Sequence, residues 1–113
     1  MAANQNERKF PEKDWKLLRA LQEEKLSTFC ERTLSKLSDA IESEESTPRE
    51  KYNNVWKILE KEDDKLGLMF DDLKRSNAVQ KLGAWRRHGL LTDEDLAQLS
   101  EDTQRAVEFF STM

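Results

Sequence analysis

Between Pro11 and Pro48 the chain contains no glycine and no proline, and after Pro48 the next breaker is Gly67. Segments of that length, rich in Leu, Glu and Lys, leave the backbone little alternative to helix: these side chains lose few rotamers in a helix, and nothing interrupts its hydrogen bonding. Val and Ile are scarce, and no alternating run of β-branched residues occurs, so no strand is expected. Three Gly and two Pro in 113 residues leave few turns. A chain of this size suits one domain that buries roughly 65% of its unfolded surface without disulfides or metal. The expected fold is all-α: a compact bundle of four to six helices, two long ones followed by a shorter C-terminal set. Residues 1–10, largely polar, are expected to form a mobile arm, and 11–113 a single helical domain.

Pro11 suits an opening turn, with Glu12 and Asp14 where the helix dipole favours anions. At about 100° per residue, Leu17, Leu18 and Leu21 point to one side. From Leu26 the apolar set turns by more than a quarter: Leu26, Phe29, Cys30, Leu34, Leu37, Ala40 and Ile41 share another face. Either the helix breaks near residues 22–25, or one long or kinked helix meets two different neighbours. The absence of breakers favours the second. "ESEESTP" reads as a linker. Thr47, Pro48 and Glu50 then form a capping-box start for a helix running to about residue 74, the competing reading being two helices with Asp63 or Asp64 capping the second. Tyr52, Val55, Trp56, Leu59, Leu66, Phe70 and Leu73 make its apolar stripe; Gly67 is tolerated within it and would let another helix approach closely. Asp63 falls inside that stripe. If buried there, it needs a partner or a raised pKa, which makes it a candidate buried acid. A shorter helix, capped by Ser76 or Asn77, ends at His88, with Gly89 in the left-handed conformation. Thr92 and Asp95 start another helix, flanked by Leu91 and Leu96 at staple spacing. Ser100 begins the last, with Val107 and Phe110 facing inward. Trp15, Phe109 and Phe110 are the aromatics whose exposure would indicate a partner surface.

The chain carries a net charge of −4, yet residues 73–90 hold five Lys or Arg, one His and no acid. On a helix these cations spread around the cylinder instead of lining one stripe. Arg86, Arg87 and His88 occupy a last turn, where cations satisfy exposed carbonyls, and the acids of "TDED" open the next helix. Two adjoining helix ends therefore explain most of the asymmetry. The remaining readings are a partner surface built from Lys74, Arg75, Lys81, Trp85, Arg86 and Arg87, with a protein or, alternatively, a nucleic acid as the partner. "VQKLGAWRRHGLLTDEDLAQL" resembles the short helical hairpin found at the ends of many bacterial proteins. That resemblance implies oligomerisation, not catalysis.

Little in the sequence carries chemistry. Cys30 is the only cysteine and His88 the only histidine. No His/Cys ligand spacing, calcium loop or glycine-rich phosphate loop occurs, so no metal, cofactor or catalytic residue is expected. The longest apolar runs are two or three residues, so no membrane span is expected. The N-terminus lacks the apolar centre of a secretory signal. The expectation is a non-enzymatic cytoplasmic protein that acts by binding protein, as a homo-oligomer or with another partner. The alternative is a nucleic-acid-associated helical protein using the basic segment 74–88, and an enzyme built on scattered carboxylates ranks last.

Overall fold

The computed structural model describes residues 10–113, in the order α1 (Glu12–Glu42), α2 (Pro48–Phe70), a 3-10 turn (Arg75–Asn77), α3 (Ala78–Arg87), α4 (Asp93–Ala97) and α5 (Glu101–Ser111). Among the described residues there is no strand, and the bundle is all-α with two long and three short helices. Residues 1–9 of the expected arm lie outside the described region, while Phe10 is buried in the core.

α1 is one helix of 31 residues, and it does meet two neighbours. Its first half packs on the C-terminal helices. Its second half runs beside α2 as an antiparallel hairpin, which draws the molecule out to 63 × 26 × 23 Å with a radius of gyration of 17.5 Å, against about 13 Å for a globular domain of similar size. The turn at 43–47 hands over to the capping box read from the sequence: Thr47 Oγ1 accepts from Glu50 N at 3.2 Å, and Glu50 Oε1 accepts from Thr47 N at 2.8 Å.

α2 stops at Phe70, four residues before the expected end. Asp72 takes a positive φ of 54°, which no helix continues. Asn77 locks this turn, donating to Asp72 O at 2.8 Å and accepting from Lys74 N at 3.0 Å. Asn77 therefore closes the preceding loop, and its side chain makes no capping bond to α3. Gly89 ends α3 with φ 72°, as the sequence requires, and Leu90 N donates back to Trp85 O at 2.8 Å. Thr92 and Asp95 form the second capping box, both bonds 3.0 Å long.

The apolar core lies at one end. Leu18 and Phe29 of α1, Met69 and Phe70 of α2, and Leu82, Trp85, Leu90, Leu91, Leu96, Leu99 and Val107 are all buried. Trp85 is wholly enclosed, donating Nε1–H to Met69 O at 3.0 Å and lying 5.4 Å from the Phe70 ring. α3 and α5 approach so closely at Gly83 that a Cβ there would stand 2.5 Å from Phe110 Cβ. Gly67, expected to permit such an approach, faces only the Asp71 side chain.

Polar ties hold α1 to this core. Asp14 is fully buried and caps α5 from outside it, accepting from Ser100 N (3.0 Å), Ser100 Oγ (3.3 Å) and Thr103 Oγ1 (2.5 Å). Lys25 reaches Asp95 at 2.6 Å, with both side chains largely buried. Arg32 donates to His88 O and Gly89 O at 3.2 and 3.1 Å, satisfying the carbonyls at the end of α3.

Candidate interaction surface

Beyond Thr33 on α1 and before Glu62 on α2, the core ends. None of residues 34–61 is buried, although this stretch contains Leu34, Leu37, Ile41, Tyr52, Val55, Trp56, Ile58 and Leu59. On α1, Cys30, Leu34, Leu37 and Ile41 follow one another at spacings of four, three and four. On α2, Tyr52, Trp56, Leu59, Asp63 and Leu66 repeat the pattern. That is the spacing of a heptad seam.

Both seams open on the same side of the hairpin. Leu34 and Leu37 line a groove of about 310 Å³ together with Leu59, Asp63 and Leu66. Nearer the tip, Ile41 lines one of about 440 Å³ with Tyr52, Val55 and Trp56. The side chains stand open to solvent: Leu34 is 63% exposed, Ile41 55%, Tyr52 73%, Trp56 58% and Leu59 41%. Thr33 Oγ1, buried at the first groove, has no hydrogen-bond partner among the described residues.

The expected buried acid is not Asp63, which is exposed on the groove. The heptad stripe that contains it lies on the open face of the hairpin, beside the exposed seam of α1, so Asp63 stands in solvent. Its neighbour Glu62 turns inward instead and is buried, bridged to Lys36 at 3.2 Å and Lys65 at 3.1 Å. Burial pushes the Glu62 carboxyl up, but the hydrogen bonds and charges of Lys65 and Lys36 outweigh it and hold the group below its ordinary value. Asp95 behaves alike: burial raises it, while Lys25 and the Thr92 amide and hydroxyl bring it lower overall. Asp14 is a further buried acid, and its spacing to Leu18 and Leu21 on one face was a readable signal for it.

The six positions of the basic segment do not assemble into one surface. Trp85 is a core residue, so its place among the partner-binding candidates is a correction: its indole is enclosed by α2 and α3 and hydrogen-bonded. Lys74 pairs with Asp72 at 3.4 Å. Arg75 pairs with Glu12 at 2.8 Å and covers the half-buried Trp15 ring at 5.4 Å. Arg86 donates to Leu91 O at 2.9 Å and to Asp93 at 2.5 Å. Lys81 and Arg87 do share a shallow depression of about 400 Å³. There Lys81 donates to Leu68 O at 2.6 Å and Arg87 to Phe110 O at 3.2 Å, so both fasten helices together. His88 is held below its usual value by burial first and then by the cations of Arg87, Lys65 and Lys36, against the opposing charge of Glu62. Phe109 is exposed, while Phe110 packs on Gly83. Among the described residues, no three His, Cys, Asp or Glu side chains are placed to hold a metal ion, and no helix is long and apolar enough to cross a membrane.

Compared with protein-family models, curated proteins and solved structures, the chain shows no significant match to any of them.

Proposed function

We propose that this protein works by binding protein, and that the binding surface is the apolar face of the α1–α2 hairpin. One observation carries the reading: residues 34–61 form two long helical arms with no buried side chain, yet present a continuous heptad-spaced stripe of Leu, Ile, Tyr and Trp. Isolated helical arms without packing are marginal in water, and their stability comes from covering an apolar face. An exposed apolar patch of this extent on a soluble domain marks an interaction site. Exposed Trp and Tyr beside leucines are also the side chains that anchor interfaces. The C-terminal helices serve as the base that fixes the hairpin's root through Asp14, Lys25 and Arg32. The nucleic-acid reading has no comparable support, since the cations it requires are tied to carbonyls and carboxylates.

A photo-crosslinking residue at position 59, in cells that produce the protein, tests this. A discrete protein adduct is expected from position 59 and none from a control at exposed Glu101. Equal yields at the two positions would refute the assignment.

A further inference from the structure

The hairpin face is self-complementary, and we infer that a second copy of this chain covers it, in antiparallel register, to form a four-helix bundle. The inference rests on the preceding reading that this face binds protein, and adds the occupant and its register. It starts from how the exposed side chains are spaced. Leu34 and Ile41 lie seven residues apart on α1, and Tyr52 and Leu59 lie seven apart on α2. Leu34 and Leu59 line the groove nearer the root, and Ile41 and Tyr52 the groove nearer the tip, so each pair marks one end of the open face. One twofold axis across the middle of the hairpin, perpendicular to both helices, therefore serves both arms. It sets Leu34 against Ile41 of the second copy, Tyr52 against Leu59, and Trp56 beside its own equivalent. All five exposed apolar residues of the face find apolar partners in that single register. An isologous interface requires this property.

Charge follows the same axis. Asp63 and Arg49 lie seven residues to either side of Trp56, on the same face of α2. The axis that centres Trp56 brings Asp63 of each copy opposite Arg49 of the other, twice per dimer. Both residues are exposed, and neither forms an ion pair among the described residues. Asp63 and Arg49, the charged residues at the two ends of the α2 seam, thus acquire a role: a polar seam position opposite a cation fixes register and orientation. Rotation about the hairpin's long axis instead would bring both C-terminal bodies to the same end and leave Asp63 away from Arg49. The antiparallel arrangement sets the bodies at opposite ends.

The area suffices. Leu34, Ile41, Tyr52, Trp56 and Leu59 expose on the order of 600 Å² per copy, judged from their fractional exposures and the surfaces of such side chains. Over two copies that reaches the lower bound, about 1,200 Å², of stable protein interfaces, before Leu37, Val55 and the flanking side chains are included.

Sedimentation equilibrium on the full chain is the test. The wild type is expected to dimerise in the micromolar range. Asp63→Arg and Arg49→Asp should each weaken the dimer about tenfold, because each creates two like-charge contacts at surface-pair strength. The combined variant should return to within about threefold of wild type. Both residues are exposed, so unchanged helicity by circular dichroism confirms that the single variants fold. Spin labels at Glu24→Cys, in a Cys30→Ser background, should lie about 40 Å apart, from the helix rise between that site and the axis. A separation under about 20 Å would overturn the antiparallel register, as would a dimer indifferent to both charge reversals. A wild type that stays monomeric at about 0.5 mM overturns the second copy as occupant. If position 59 then still cross-links to another protein, the interaction reading stands without this inference; with no cross-link, both fall.

Discussion

Gly83→Ala is predicted to destabilise the protein, although the same change in an isolated helix would be favourable. Alanine in a helix interior gains about 0.5–1 kcal/mol over glycine through backbone entropy. At Gly83 the new Cβ would lie 2.5 Å from Phe110 Cβ, and 3.1 and 3.3 Å from the Phe110 carbonyl carbon and Cα. Two of those three atoms are backbone, so no rotamer change relieves the contact. α5 must slide outward and loosen its packing around Val107, which is wholly buried. Overpacking of this kind costs about 1–3 kcal/mol, and the net loss is about 1–2 kcal/mol. The control lies in the same molecule. At Gly67 the added Cβ meets Asp71 Oδ2 at 3.0 Å, the free end of an exposed side chain. Gly67→Ala therefore keeps most of its roughly 0.5–1 kcal/mol gain. Urea unfolding followed by circular dichroism should move the two midpoints in opposite directions with unchanged slope. A Gly83→Ala protein as stable as the wild type would refute the close approach of α3 and α5.

Other substitutions probe the ties between α1 and the core. Asp14→Ala removes the acceptor shared by Ser100 and Thr103 and uncaps α5, so urea titration should show a loss of about 2–4 kcal/mol; a loss below about 1 kcal/mol would contradict the cap. Lys25→Met leaves Asp95 largely buried without its cation, and about 3 kcal/mol should be lost; an unchanged melting temperature would count against that ion pair. Glu62 and Asp95 are both held below the ordinary carboxylate range in the folded protein. Their stabilisation is therefore complete above about pH 5, beyond the unfolded values, and disappears as pH falls through their lowered folded values. Stability measured from pH 6 to pH 3 should drop, and less steeply in a Lys36→Met/Lys65→Met variant; parallel curves would contradict the pairing.

The helices and their punctuation were legible because they depend on local chemistry. Thr47, Pro48 and Glu50 open α2, Gly89 closes α3, and Thr92 with Asp95 opens α4, each through bonds within a few residues. The rotation of the apolar set after Leu26 was legible too, as one helix with two neighbours. What the sequence could not state is that the second neighbour, α2, leaves much of that apolar face open. A heptad stripe looks alike whether it faces a core or solvent, and only the fold shows that α3 and α5 are consumed at the root of the hairpin. The same ambiguity misplaced Asp63. Its position in the stripe was right, but the stripe faces outward, and Glu62, one residue earlier, took the buried place. Trp85 was misread because a tryptophan among cations looks like a recognition surface, whereas its N–H had a carbonyl waiting at Met69, sixteen residues earlier. α2 ended early because Asn77 holds Asp72 and Lys74, a loop closure that helix periodicity does not register.

Amide hydrogen exchange across a protein dilution series most directly examines whether the hairpin is completed by a second copy. Protection of residues 34–61 should fall as the protein is diluted from high to low micromolar concentration, while protection of α3 and α5, which are packed within one chain, stays constant. Hairpin protection that is the same at every concentration would mean that the arms need no second chain.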